Sequence, residues 1–384
     1  MVIAIRGDFP PVTGAWQEGD PPGDRRWISL SEPLKLEAGG ELPGVRLAYE
    51  TWGTLAADRG NAVLVLHALT GDSHAAGPAG PGHPTSGWWD ALIGPGRPLD
   101  TRRWFVVVPN ALGGCQGSTG PASLAPDGRP WGSRFPVITI RDMVAAEVQL
   151  ADALGIERWA AVIGGSLGGI RALEWAVSEP DRVDAALLLA CCARSSAEQI
   201  AWCSAQVHAV RGDPGWQGGD YYDSPPGGGP HHGLGLARRI AHITYRSPGE
   251  LQVRFGAEYQ EGEHPWYGGR YQVESYLDHH AEKLVRRFDA GSYVTLTTAM
   301  AGHDVGRGRG GVAEALRRVR ARTIVAGVDT DRLFPLEQQE ELAAAIPKAG
   351  PLQVIHSPYG HDAFLIETEQ VGRLVTGLLD GVLS

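Results

Sequence analysis

Short, uninterrupted apolar runs recur along the chain, each closed by glycine or by polar turn residues. Ala62-Val63-Leu64-Val65-Leu66, Trp104-Phe105-Val106-Val107-Val108, Trp159-Ala160-Ala161-Val162-Ile163 and Ala186-Leu187-Leu188-Leu189-Ala190 have the length and composition of buried strands. Val45-Arg46-Leu47-Ala48-Tyr49-Glu50 reads as a further strand ahead of them. Runs without polar alternation suit a parallel sheet covered on both faces. Between them the period changes to that of helices, over Asp142 to Leu154, which stops at Gly155, and over Leu167 to Val177. Strands alternating with helices predict a doubly wound α/β core.

From Arg194 to Val305 the alternation lapses into helical, polar and aromatic stretches, broken by a loop at 220–230. It resumes with Thr323 to Ala326, Leu352 to Ile355 and a last helix over Glu367 to Leu379. The expectation is a core over 1–193 with an irregular N-terminal arm of some 40 residues, a helical lid insertion over 194–305, and the rest of the core over 306–384.

The length of 384 residues allows a large core, and 43% hydrophobic with 20% charged residues is ordinary for a globular chain. A formal charge of −10 disfavours a nucleic-acid partner, which calls for a positive surface. No apolar run has the roughly 18–20 residues of a membrane helix. The first residues lack the apolar stretch of a signal peptide. Cys115, Cys191, Cys192 and Cys203 have neither metal nor disulfide-framework spacing, so reduced thiols and a cytoplasmic location are expected.

Gly164-Gly165-Ser166-Leu167-Gly168-Gly169 follows one strand run and opens a helix. A serine at the apex of a sharp strand-to-helix turn needs small neighbours, because the chain before and after it passes close by. The helix behind it offers a positive N-terminus and free N–H groups, so the Leu167 N–H is a candidate oxyanion donor. G-x-S-x-G alone is weak evidence in a chain with 53 glycines. Its context strengthens it, because a serine nucleophile on this fold is followed along the chain by an acid and then a histidine.

Past the strand at Thr323 to Ala326 stand Asp329 and Asp331, either of which has the spacing of the acid; the other reads as a turn or cap residue. Past the last strand, Ser357-Pro358-Tyr359-Gly360-His361 puts His361 where a general base belongs. After the early strand, Leu66-His67-Ala68-Leu69-Thr70-Gly71-Asp72 is where the second oxyanion N–H arises, assigned to Leu69, with His67 and Asp72 read as structural.

These segments, with Gly87-Trp88-Trp89-Asp90, Asn110 to Pro121, Thr330-Asp331-Arg332-Leu333-Phe334-Pro335 and Tyr359-Gly360-His361-Asp362, make the chain resemble the homoserine O-acyltransferases of the α/β-hydrolase superfamily. The resemblance covers most of the chain from about Leu47. Two departures are small: Leu167 where the family commonly has Met, and Thr330 where it often has Ser. The resemblance implies that Asp331 is the acid and that Arg238, Asp362 and Tyr245 bind the acceptor. From their own spacing, Arg238 reads as a helix-face charge and Asp362 as a cap. Homoserine is a zwitterion, and one guanidinium with one carboxylate matches it.

The family further implies acetyl-CoA as co-substrate, no resident cofactor or metal, L-homoserine as acceptor in methionine biosynthesis, and a homodimer. Succinyl donors, a serine acceptor and plain ester or thioester hydrolysis are the alternatives. A binding protein on the same fold is disfavoured by the complete triad. Gly306 to Gly311 reads as a turn, with no strand ahead of it to make a dinucleotide site.

Overall fold

An eight-stranded sheet runs through the computed structural model, which describes residues 9–382. In chain order its strands are β1 (Arg26–Ser29), β2 (Arg46–Trp52), β3 (Ala62–Leu66), β4 (Phe105–Pro109), β5 (Ala161–Gly165), β6 (Ala185–Leu189), β7 (Arg322–Val328) and β8 (Gln353–Ile355). They lie in the spatial order β1-β2-β4-β3-β5-β6-β7-β8. Strand β2 is antiparallel to both neighbours, and every other pairing is parallel.

The apolar runs are uninterrupted because both faces of the sheet are covered. Leu64, Leu66, Val162 and Leu188 face one core with Met143 and Ile170. Val63, Val65, Ile163 and Leu187 face the other with Val371, Val375 and Leu378. The first face carries α1 (Ile140–Ala153) and α2 (Leu167–Ser178). Helix α1 opens on a capping box between Thr139 and Asp142. A buried ion pair ties the two helices: Glu147 accepts from Arg171 Nε at 2.9 Å and from Trp175 Nε1 at 2.7 Å.

Helices α3 (Ala197–Arg211), α4 (His231–Tyr245), α5 (Pro248–Phe255), α6 (Gln272–Val285) and α7 (Ala290–Ala301) lie between β6 and β7 along the chain. Buried Asp289 fastens the 220–230 loop to them, accepting from Tyr221 Oη at 2.6 Å and Tyr222 Oη at 3.1 Å. Helices α8 (Val312–Leu316), α9 (Leu336–Ala345), α10 (Ala363–Ile366) and α11 (Thr368–Asp380) complete the molecule. Gly306 to Gly311 is a turn, as its sequence indicates; Arg309 within it pairs with Glu174 of α2.

The N-terminal arm differs from expectation. It contributes the edge strand β1, paired with β2 from Arg26 opposite Tyr49 to Ser29 opposite Arg46. It also forms a small hairpin of Leu34–Lys35 with Glu41–Leu42. The pattern Arg-Trp-Ile-Ser is too short and mixed to announce a strand; the free edge of β2 supplies what the sequence lacks. Arg25 anchors the arm, donating to Gly82 O at 2.7 Å and Gln116 Oε1 at 3.0 Å.

Candidate active site

Ser166 stands between β5 and α2 with φ 57° and ψ −125°, a backbone conformation few non-glycine residues adopt. The surrounding glycines make the turn possible. A Cβ on Gly164 would lie 2.1 Å from the Gly168 carbonyl oxygen, one on Gly168 2.0 Å from that of Leu66, and one on Gly165 2.6 Å from the Phe364 ring. Space, more than backbone freedom, dictates glycine here.

The structure brings the expected serine, histidine and acid together. His361 Nε2 lies 2.8 Å from Ser166 Oγ, and His361 Nδ1 lies 2.6 Å from Asp331 Oδ2. The other oxygen of Asp331 accepts the N–H groups of Leu333 and Phe334 at 2.8 and 2.9 Å, which fixes the carboxylate. Asp329 is the turn residue: it accepts from the Ser357 N–H at 3.1 Å and pairs with exposed His356. His361 is sandwiched, stacked on Phe334 with Phe364 edge-on. Burial alone would lower its pKa; the charge and hydrogen bond of Asp331, with the charge of Asp362, outweigh burial and hold it above the ordinary value.

The base loop is seated on the end of α4. Gly360 has φ 66°, and a Cβ there would sit 2.7 Å from both the Tyr245 carbonyl oxygen and the Ser247 nitrogen. Ser247 Oγ donates to the Pro358 carbonyl, and Thr330 Oγ1 accepts the Gly360 N–H at 3.1 Å.

The N–H groups of Leu69 and Leu167 flank the nucleophile turn from the loop after β3 and the start of α2. Neither donates to any partner among the described residues. Both residues are buried, and a buried N–H without a partner is rare outside a binding site. Beneath Leu69, buried His67 bridges Ala68 O (2.7 Å) and Ala111 N (3.0 Å). Asp72 caps His74 N at 2.9 Å. Asp72 thus holds a turn, and His67 braces the peptide that carries the Leu69 N–H.

Arg238, Asp362 and Tyr245 converge beside the base. Arg238 and Asp362 line one cavity, the Arg238 guanidinium lies 5.5 Å from the centre of the Tyr245 ring, and that ring is 5.8 Å from His361. Burial pushes the Tyr245 hydroxyl up to about 12, so it stays protonated. Burial also raises the pKa of Asp362, opposed by the charges of His361, Arg238 and Arg246. Sequence reasoning missed Arg246. It is buried, gripped by Glu250 at 2.8 Å, and donates to Asp362 at 3.4 Å. An arginine one residue past a helix end has no pattern to single it out.

Four possible metal ligands, Asp24, Glu50, His74 and His83, offer atoms within 4.8 Å of one another. Glu50 and His74 are engaged with each other. Glu50 pairs with His74 Nδ1 at 2.9 Å and accepts from Ser73 Oγ at 2.8 Å, and His83 Nε2 accepts the Asp24 N–H at 2.9 Å. The four cysteines are free and buried. No helix among the described residues is long and apolar enough to cross a membrane.

Sheet order, serine turn and triad geometry define an enzyme of the α/β-hydrolase class, and a family model described as alpha/beta hydrolase fold matches residues 61–368. A protein of Thermobifida fusca named homoserine O-acetyltransferase is 69% identical over 369 residues, 96% of this chain and 97% of that one. The chain belongs to the homoserine O-acetyltransferase family. The crystal structure of homoserine O-acetyltransferase from Bacillus anthracis superposes with a TM-score of 0.84 at 28% identity, over 93% of this chain and 97% of that one. Esterase E22 has the same TM-score at 25% identity, over 92% of this chain and 99% of its own.

Proposed function

We propose that the chain is a homoserine O-acetyltransferase that moves an acetyl group from acetyl-CoA to the hydroxyl of L-homoserine by a ping-pong route. The observation that carries this is the 69% identity, over nearly the whole length of both chains, to a protein of that name. In the mechanism, His361 takes the proton of Ser166 as the serine oxygen attacks the thioester carbonyl. The Leu69 and Leu167 N–H groups receive the oxyanion. Collapse expels CoA, which leaves with the proton held on His361, and the serine carries the acetyl group. Homoserine then enters, with its carboxylate toward Arg238 and its ammonium toward Asp362. His361 deprotonates its hydroxyl as the oxygen attacks the acetyl carbonyl, then returns that proton to Ser166 Oγ as the acyl–serine bond breaks and the acetyl ester departs. Tyr245 packs between Arg238 and the base and bounds the acceptor site. Methionine biosynthesis, a homodimer and a cytoplasmic location go with this reading.

The likeness to an esterase supports one rival, in which water resolves the acetyl-enzyme. Water stands at about 55 M and homoserine at about millimolar level. Orientation must therefore favour homoserine by on the order of 10⁵, or ~7 kcal/mol. A positioned zwitterion beside the base can supply that factor, and a hydrolase has no use for Arg238 and Asp362 together. The test is CoA release from acetyl-CoA, followed with a thiol reagent, with and without L-homoserine. Release that depends on homoserine is expected; release equally fast without it overturns the transferase reading.

A further inference from the structure

Between α4, α6 and the segment after His361 lies a cavity of about 240 Å³, whose wall includes Arg238, His242, His280, Lys283, Arg287 and Asp362. Three permanent cations face one carboxylate, in a chain whose formal charge is −10. Among the described residues none of the three is in an ion pair, although Arg239 and Arg246 on or beside the same helix each have a carboxylate partner. Arg238 and Arg287 both make do with Thr70, through its hydroxyl at 3.3 Å and its carbonyl at 2.9 Å. Arg238 Nε and both ring nitrogens of His242 are buried without a hydrogen-bond partner among the described residues, and His242 is only 4% exposed. Burial, and then the charge of Arg238, lower the pKa of Arg287, so the two guanidiniums strain against each other. Unpaired donors and uncompensated like charges around a cavity are the complement of an anion.

Homoserine does not balance this wall. It is a zwitterion, matched by Arg238 and Asp362, and it brings no net charge. The surplus is carried by Lys283, which is exposed, and by half-buried Arg287. The donor presents its thioester to Ser166, and its phosphates, a pantetheine arm away, call for a cationic wall of their own. We propose that Lys283 and Arg287, with His280 beside them, form a subsite for the phosphate groups of the acyl donor. This rests on the acyl-CoA-dependent reading of the site. Lys283 acts as the exposed electrostatic contact, and Arg287, held by the Thr70 carbonyl, as the fixed, half-buried one.

The test compares two donors, acetyl-CoA and the phosphate-free thioester of acetate with N-acetylcysteamine, in the wild type, Lys283→Glu and Lys283→Arg. The quantity read is the ratio of kcat/KM for acetyl-CoA to that for the short thioester. The ratio is expected to fall about ten-fold in Lys283→Glu and to be held in Lys283→Arg. A ratio unchanged in Lys283→Glu, or a fall for both donors alike, overturns the subsite. Calorimetry of CoA against pantetheine on the wild-type protein separates this from the parent reading. If CoA binds no more tightly than pantetheine, the phosphate subsite is wrong even where acetyl transfer proceeds. If the wild type transfers no acetyl group from acetyl-CoA yet binds CoA more tightly than pantetheine, the activity is wrong and the subsite stands.

Discussion

His67 donates from Nδ1 to the carbonyl oxygen of Ala68 at 2.7 Å, and that carbonyl shares its peptide group with the N–H of Leu69. Because Nε2 accepts the Ala111 N–H at 3.0 Å, the tautomer is fixed, and burial holds the ring neutral by lowering its pKa to about 3. A donor on the carbonyl both orients the peptide and polarises its N–H, the proposed oxyanion donor. His67→Asn keeps a donor near the Nδ1 position, whereas His67→Gln places its amide near Nε2. His67→Asn is expected to retain kcat within about ten-fold, and His67→Gln to lose about 10². Equal kcat values for the two folded variants would remove His67 from oxyanion positioning.

The triad gives a contrast between two aspartates two positions apart. Asp331→Asn should lower kcat by roughly 10³–10⁴ with the fold intact, because the histidine loses its tautomer and its counter-charge. Asp329→Asn, which affects only a turn and an exposed histidine, should cost less than about ten-fold. Steady-state rates with circular dichroism check both; comparable losses would mean that the acid is misassigned.

The pH dependence has a definite sign. His361 must be neutral to accept the serine proton, and the surrounding carboxylates raise its pKa above the ordinary 6.5. The acid limb of kcat/KM for acetyl-CoA should therefore lie above 6.5, with rate lost as pH falls through it. Asp362→Asn removes one raising charge and should move the limb to lower pH. A limb that stays in place in that variant contradicts the coupling.

Arg238→Ala should raise KM for homoserine about 10²-fold, the worth of a charge-assisted pair, and divert acetyl-enzyme to water. The ratio of acetate to O-acetylhomoserine formed reports the diversion. An unchanged product ratio would show that Arg238 does not hold the acceptor.

Gly168→Ala tests packing at the nucleophile turn. The new methyl would lie 2.0 Å from the Leu66 carbonyl, at the end of the strand that leads to Leu69. Loss of several kcal/mol in urea denaturation and loss of activity are expected together. A variant that is both stable and active would mean the turn is looser than its contacts indicate.

Strands β3 to β7 were legible because burial on both faces leaves apolar runs that composition alone reveals. The triad was legible because its members follow strand ends in a fixed chain order. The edge strand β1 was not, since its pairing is supplied by β2 and not by its own four residues. Asp331 and Asp329 could not be told apart by spacing; what separates them is that His361 and two N–H groups converge on one carboxylate. The inward turn of His242 and the grip of Arg246 on Asp362 were also invisible, because helical periodicity says which residues share a face and not what that face meets.

The close seating of Gly360 on the end of α4 leaves no room even for a methyl group, so the base loop and the inserted helices share one seam. A flap hinged there could not lift without pulling the imidazole off the serine. The imidazole and the C-terminal end of that helix are therefore braced as one piece, and a displacement of either is felt by the other.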